Sequence, residues 1–249
     1  MKPDQIKKFH KNQRLNAHTD SQLLGDINGV EWYVVAAMNT GKKLIITADD
    51  FGLCPEVNEA VIGAHSKGIL TCASLMISAK AAEEAVKLAK KTPTLKVGLH
   101  LVLVEGTSVL PKKEIPDLVD ENQKFSNQIV ASGFRYFFSE KLRKQIAKEC
   151  EAQVKKFLAS GLTIDHLNSH NHLHIHPTIL DIVIRLAKQY EIPAIRVPWQ
   201  GWRSLKPNQA LMAVVMAPWV ARTRAKLRKA DIAFNDEVFG LFETGTLLE

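Results

Sequence analysis

From residue 42 onward, short apolar runs alternate with amphipathic segments. The apolar runs predict strands at residues 42–48, 70–77, 96–102, 163–169, 194–197 and 232–239. Apolar positions at helical spacing predict helices at residues 55–67, 81–91, 139–160, 177–190 and 208–229. Such alternation is typical of a parallel sheet or a (β/α) barrel. In both folds the functional site lies at the carboxyl ends of the strands.

Several residues mark the expected helix ends. Pro55 suits the first turn of a helix, and Gly68 is a stop signal for the same segment. Ser139 is a candidate N-cap for the long helix, which Gly161 is expected to end. Pro218 predicts a kink in the last helix. The intervening segment 105–138 is expected to form a loop region over the mouth of the site.

A run of histidines stands out between residues 163 and 177, T-I-D-H-L-N-S-H-N-H-L-H-I-H-P. It holds five of the nine histidines in the chain, all at even positions: His166, His170, His172, His174 and His176. On an extended strand these rings would share one face, because side chains alternate with a period of two. Neutral imidazole is the commonest protein metal ligand, so the row predicts a metal site. A surface patch and an adventitious histidine-rich site are the alternatives.

Two more predicted strands end in residues that could join this site. The run L-I-I-T-A ends in the adjacent carboxylates Asp49 and Asp50, followed by Phe and Gly. One carboxylate could bind a metal while the other acts as a base. A simple turn is the alternative, since Asp and Gly favour turns. His100 ends the run K-V-G-L-H. A lone strand histidine is usually a core residue, so its interest depends on the other two segments.

Composition narrows the class of protein. The chain has 249 residues, 46% hydrophobic and 24% charged, which is ordinary for a globular domain. A formal charge of +7 favours anionic partners, but no zinc-finger spacing or RNA-binding motif is present, so nucleic acid is not expected. Three scattered cysteines and the lack of a visible signal peptide predict a reducing, cytoplasmic location.

The segment 210–221, A-L-M-A-V-V-M-A-P-W-V-A, is apolar and runs into a basic one. It is too short to span a bilayer, which needs about 20 apolar residues. Such a segment can lie at a membrane surface, on the inner face of the membrane. A buried helix with a solvated basic tail is the alternative.

Several motifs occur here in the order found in one known family. They are T-A-D-D-F-G-L, P-E-V-N-E-A-V, G-I-L-T, V-G-L-H-L-V-L-V-E-G, I-P-D-L-V-D and D-H-L-N-S-H-N-H-L-H-I-H-P. Together they resemble the YdjC-like carbohydrate deacetylases over residues 42–241. The motifs V-G-L-H-L-V-L-V-E-G and N-D-E-V-F-G-L are most similar to the hopanoid-biosynthesis-associated branch, HpnK.

The resemblance implies a (β/α) barrel-like fold of deformed TIM type and metal-dependent removal of an acetyl group from a sugar. The ligands of one divalent metal, Mg²⁺ or Zn²⁺, fall on Asp50, His100 and His170. Asp49 falls at the catalytic base, and Arg196, in I-R-V-P, matches a substrate-orienting arginine. The implied partner is an N-acetylated sugar or glycolipid, with a hopanoid suggested by the branch. A homodimer is left open.

The chain also departs from the family pattern. We expect residues 38–249 to form the deacetylase domain, with Met38 as the natural start and residues 1–37 as an extension of doubtful relevance. Family members continue through a further strand with a His-Pro pair, which looks like the source of the leaving-group acid. A C-terminally truncated domain without its last strand is therefore expected. A metal-dependent phosphoesterase and an inactive metal-binding protein are the alternative functions.

Overall fold

The computed structural model describes residues 43–128, 133, 136, 139–201 and 209–241. By Cα proximity the chain divides into two units between Leu44 and Ile45, and all the described helices and strands lie in the second unit. The predicted extension 1–37 lies outside the described residues.

A parallel sheet of four strands forms the centre of this unit. Its strands are β1 (Thr47–Phe51), β2 (Cys72–Leu75), β3 (Lys96–Leu101) and β4 (Leu167–Ser169). They are ordered β1-β2-β3-β4, and each pairs in parallel with the next. The predicted parallel α/β arrangement is confirmed, and the carboxyl ends of all four strands lie at one edge.

The two last predicted strands are reduced to single bridges. Ile195 bridges Leu167 of β4 in parallel, and Ala194 bridges Ala233 in the same sense. Residues 194–197 and 232–239 thus continue the sheet in chain order without forming full strands. Within the described residues the sheet does not close, so the predicted barrel is not shown.

Five α-helices accompany the sheet in the described part of the chain. They are α1 (Pro55–Lys67), α2 (Ala82–Lys91), α3 (Glu140–Ala159), α4 (Pro177–Gln189) and α5 (Ala210–Ala230). The predicted end signals hold, because α1 begins with Pro55 and its C-cap is Gly68. The Ser139 Oγ accepts a hydrogen bond from the Leu142 amide at 3.2 Å, and Gly161 takes a left-handed φ of 83° after α3.

Helix α3 sends polar side chains into the interior to hold the chain that follows β3. The Glu149 carboxylate accepts hydrogen bonds from the amides of Val109 and Leu110, at 2.8 and 3.0 Å. Gln153 bonds both the amide and the carbonyl of Val102, at 3.0 and 2.7 Å. Burial raises the pKa of Glu149. Helix α3 therefore fixes both sides of the loop that carries Glu105.

Removing the buried carboxylate should destabilise the domain. Glu149 is fully buried, so bulk water cannot take the place of its carboxylate. Replacing Glu149 by Ala therefore leaves the Val109 and Leu110 amides without their acceptor. We expect urea denaturation to show a loss of about 2–4 kcal/mol in unfolding free energy. The exposed Glu140, replaced by Ala, is the control and should leave stability unchanged within error. Equal losses in the two variants would contradict this account.

Candidate metal centre

The two adjacent aspartates reach the same end of the sheet because β1 is irregular there. Both lie inside β1, not after it as predicted. The pairing register with β2 shifts between Ala48 and Phe51, and Asp50 has a left-handed φ of 60°. In a regular strand, neighbouring side chains point to opposite faces. The bulge redirects one of them, so both carboxylates reach the carboxyl edge.

The structure brings together Asp50, His100 and His170, the three residues predicted to bind metal. The Asp50 Oδ1 is 3.2 Å from the His100 Nε2 and 3.1 Å from the His170 Nδ1. One ligand atom from each lies within 4.8 Å of the others. His100 comes from β3, and His170 directly follows β4. Three strand ends thus direct one carboxylate and two imidazoles to one point.

The hydrogen bonds of Asn168 settle which nitrogen of His100 faces this point. The Asn168 Nδ2 donates to the carboxylate of Asp49, at 3.2 Å, which can only accept. The Asn168 Oδ1 must then accept from the His100 Nδ1, at 2.7 Å. In neutral His100 the Nε2 therefore carries a lone pair, directed at the Asp50 carboxylate. The His100 Nε2 and the Asp50 Oδ1 are then two hydrogen-bond acceptors 3.2 Å apart, which repel each other unless a cation lies between them. Such a pair of lone-pair-bearing atoms suits a metal ion.

Asp49 is held by Arg196 rather than by the candidate metal ligands. The Arg196 Nη1 donates to the Asp49 Oδ2 at 2.9 Å, and its Nη2 bonds the Oδ1 of the same carboxylate. Burial opposes ionisation of Asp49, but the Arg196 guanidinium outweighs it and lowers the pKa of that carboxyl. Asp49 is thus a fixed carboxylate beside the three converging residues. Its position agrees with the predicted base, whose role remains a prediction.

The predicted row of histidines on one strand face is wrong. Strand β4 ends at Ser169, and His170–Ile175 forms a 3₁₀ segment. Within it Asn171 and His172 have left-handed φ values of 53° and 55°. The backbone is kinked there, so the even-numbered rings do not share one strand face, although the ring centroids of His172 and His174 lie 6.4 Å apart.

The rings of this segment now have different surroundings. His174 is fully buried; its Nε2 donates to the Arg196 carbonyl at 2.6 Å, and its Nδ1 accepts from the Ser169 Oγ at 2.8 Å. It joins the segment that carries His170 to the one that carries Arg196. Burial lowers the pKa of His174 to about 3, so the ring is neutral. Burial also lowers the pKa of His172, to about 4.

Sequence reasoning missed three residues around the centre, Ser74, Asn168 and Glu105, and gave His166 a different role. Asn168 and Ser74 are buried polar residues within strands. Glu105, in the predicted loop, has its Oε2 3.6 Å from the His170 Nε2, and the same oxygen accepts a hydrogen bond from the Asn171 side-chain Nδ2 at 2.7 Å. His166, before β4, bonds Ser74. Of the three missed residues, Glu105 alone carried a signal, because it opens the segment predicted to cover the site.

The chain is similar in sequence to one known protein family and to several proteins of known name. The family described as YdjC-like protein matches residues 43–249. A carbohydrate deacetylase of Brevibacillus brevis is 42% identical over 157 residues, which cover 63% of this chain and 60% of that protein. One from Vibrio cholerae is 38% identical, covering 61% and 57%. The chain spans about 60% of the length of these curated relatives.

A solved structure is also similar. It is that of a candidate cellobiose-phosphate cleavage protein from Enterococcus faecalis, with a TM-score of 0.55 and 35% sequence identity. The match covers 62% of this chain and 58% of that one.

The buried His174 should make stability fall in acid. Its pKa is lowered from 6.5 to about 3 in the fold, so its contribution is complete above pH 6.5 and declines as pH falls below that value. The slope for one such proton is about 1.4 kcal/mol per pH unit. Urea unfolding from neutral pH into mild acid should show a shallower slope for His174→Gln, which cannot titrate. Since His172 shifts in the same direction, only the difference between proteins is informative. Identical slopes would show that His174 binds a proton equally in the folded and unfolded states, and would contradict the lowered pKa.

Proposed function

The chain belongs to the YdjC-like protein family, and from that premise we propose that it removes the acetyl group from an N-acetylated sugar in a metal-dependent reaction. The observation that carries this proposal is the pairing of a set of residues suited to bind a metal with a separate carboxylate. Asp50, His100 and His170 offer donors around one point, while Asp49 is kept apart by Arg196. The names of the matched relatives, carbohydrate deacetylases, support the same reaction.

The three converging residues would hold one divalent ion. Two imidazoles and one carboxylate suit Zn²⁺ better than Mg²⁺, which prefers oxygen ligands. Such an ion, when bound, would lower the pKa of a water molecule and polarise the acetyl carbonyl. The coordination positions that these three side chains do not use would be open to water and substrate.

Asp49 is our candidate for the base that takes a proton from the attacking water. It is ionised at neutral pH because the Arg196 guanidinium lowers its pKa against burial, so it can accept a proton, and the same guanidinium makes it a weaker base than a free carboxylate. Both of its oxygens are bonded to Arg196, which fixes the direction of the carboxylate. We assign Arg196 this orienting role in addition to contact with substrate. Hydrolysis consumes one water and yields acetate and a free amine.

We further propose that the substrate is a glycolipid, a hopanoid as the branch resemblance suggests, and that α5 brings the enzyme to an anionic membrane surface. Leu211, Val215 and Trp219 lie on one face of α5, with exposed fractions of 75%, 60% and 44%. The exposed Arg222 and Lys229 continue that face toward the end of the helix. Apolar side chains followed by basic ones suit insertion beside anionic headgroups. None of the described helices is long and apolar enough to cross a membrane.

Acetate release tests the reaction and the division of roles. The protein, loaded in turn with Zn²⁺, Mn²⁺, Co²⁺ and Mg²⁺, should release acetate from N-acetylated glycosides, and chelator should stop it. His170→Ala should lose metal binding, because it removes one of three ligands. Asp49→Asn should lose turnover by about 100-fold or more while keeping the metal.

The controls separate the alternatives. His65→Ala removes an imidazole far from the centre in sequence and should change neither binding nor turnover, since that ring bonds Leu70 and Thr94. Phosphate-ester turnover without acetate release would favour the phosphoesterase. Metal binding without either activity would favour an inactive metal-binding protein. Metal loss in Asp49→Asn equal to that in His170→Ala would overturn the proposed division between the two aspartates.

Vesicle binding tests the membrane contact. Co-sedimentation should show binding to phosphatidylglycerol vesicles and much weaker binding to phosphatidylcholine alone. Leu211→Ser with Val215→Ser should weaken it by at least about tenfold, because two apolar side chains lose their contact with acyl chains. Ile69→Ser, at another exposed apolar residue, is the control. A dimer seen by light scattering, lost in the double variant, with no vesicle binding, would assign this face to a second copy of the chain.

A further inference from the structure

Ser74 lies at the centre of a buried hydrogen-bond chain next to the metal centre. Its Oγ is 2.9 Å from the Asn168 Nδ2, 3.3 Å from the Arg196 Nη2 and 3.0 Å from the His166 Nε2. The first two nitrogens can only donate, so the hydroxyl proton must go to His166. The Nε2 of His166 is therefore the acceptor, and its proton is on Nδ1, which faces the Asp165 Oδ2 at 3.1 Å.

The hydrogen bonds in this series all donate in the same direction, from the candidate metal ligand His100 outward to Asp165. His100 donates to Asn168, Asn168 to Ser74, Ser74 to His166 and His166 to Asp165. Each hydrogen bond determines the direction of the next, because a side chain that accepts through one atom is left with only a donor for its other partner. Ser74 and Asn168 are at most 1% exposed, so no bulk water competes for these bonds.

We propose that Ser74, His166 and Asp165 are positioning residues for the metal centre. By taking the hydroxyl proton, His166 leaves both lone pairs of Ser74 free to hold Asn168 and Arg196. Asn168 then keeps its oxygen toward His100, whose Nε2 presents its lone pair to the ion. Partners of this kind raise metal affinity by orienting the ligand. The inference rests on the proposed metal-dependent function.

The position of the His166 ring is itself built into β3. A Cβ added to Gly98 would lie 2.5 Å from the Nε2 and Cε1 of that ring. The ring therefore lies directly against the backbone of β3, at a place where only glycine leaves room for it. This close packing fixes the distance from His166 to Ser74.

The order Ser74, His166, Asp165 is also that of a hydrolase triad, but Ser74 is not a nucleophile here. Its side chain has no exposed surface, and its oxygen already accepts two hydrogen bonds. A substrate carbonyl has no access to it. The triad geometry instead serves to fix the direction of one hydroxyl group.

The test combines metal affinity with the tautomers of the histidines. In metal-free wild-type protein at mildly alkaline pH, ¹⁵N NMR should show His100 and His166 protonated on Nδ1. Ser74→Ala should lower Zn²⁺ affinity, measured by calorimetry, by about tenfold, and should let His100 populate both tautomers. Gly98→Ala should act in the same direction by displacing the His166 ring without removing a polar group.

Paired substitutions distinguish positioning from general stability. His166→Gln retains an acceptor for Ser74 and should bind Zn²⁺ more tightly than His166→Leu, which has none. Ser108→Ala removes another buried hydroxyl, bonded to the Leu110 carbonyl, and should leave Zn²⁺ affinity unchanged. Unchanged affinity and tautomer in Ser74→Ala, or equal affinities in the two His166 variants, would overturn the proposal. If the variants change Zn²⁺ affinity and tautomers as expected but the wild-type protein releases no acetate, the deacetylase function alone would be refuted.

Discussion

The site depends on one local departure from regular strand geometry, the bulge of β1 at Asp49 and Asp50. Two neighbouring residues of a flat strand cannot serve one site, because their side chains point to opposite faces. The left-handed backbone of Asp50 removes this constraint. A non-glycine residue in that conformation is uncommon and is maintained only when surrounding contacts compensate for it. Here those contacts are the hydrogen bond from the Leu53 amide to the Asp50 carbonyl, at 3.0 Å, and the one from the Gly52 amide to the Asn58 Oδ1, at 2.8 Å.

The same bulge separates the surroundings of the two carboxylates. Asp50 faces two imidazoles, whereas Asp49 faces a guanidinium and an amide. The side chains of Asp50 and Asp49 are 33% and 32% exposed, and the pKa of each is lowered although burial opposes it. Arg196 comes from the segment after α4, so its ion pair also ties the two ends of the described sheet together. The ion pair between Arg196 and Asp49 therefore both orients the candidate base and holds the sheet together.

Much of the fold followed from periodicity and end signals, because these depend on neighbours in the chain. Pro55, Gly68 and Ser139 marked helix ends correctly, and the alternation of elements predicted the parallel sheet. The placement of Asp49, Asp50, His100 and His170 at one edge followed in turn, since carboxyl ends of parallel strands meet there, whereas the choice of Asp50, His100 and His170 as ligands came from the family resemblance. What could not be predicted was the conformation of single residues, such as the bulge, because it depends on partners distant in sequence.

The buried polar network shows the same limit. Ser74 stands in a run that looks like an apolar strand, and its partner Asn168 is 94 positions away. Neither residue has a local signal of its role.

The histidine-rich stretch shows why composition alone was misleading. Its even spacing suggested one strand face with one purpose, yet two left-handed residues, Asn171 and His172, turn the chain after His170. The rings on either side then reach different partners. His166 accepts from a buried hydroxyl, His170 faces a carboxylate, and His174 joins two backbone segments. Imidazole suits all three positions because its two nitrogens can donate and accept in a fixed direction. In a buried site, a ring that donates through one nitrogen and accepts through the other can satisfy two fixed partners without carrying a charge.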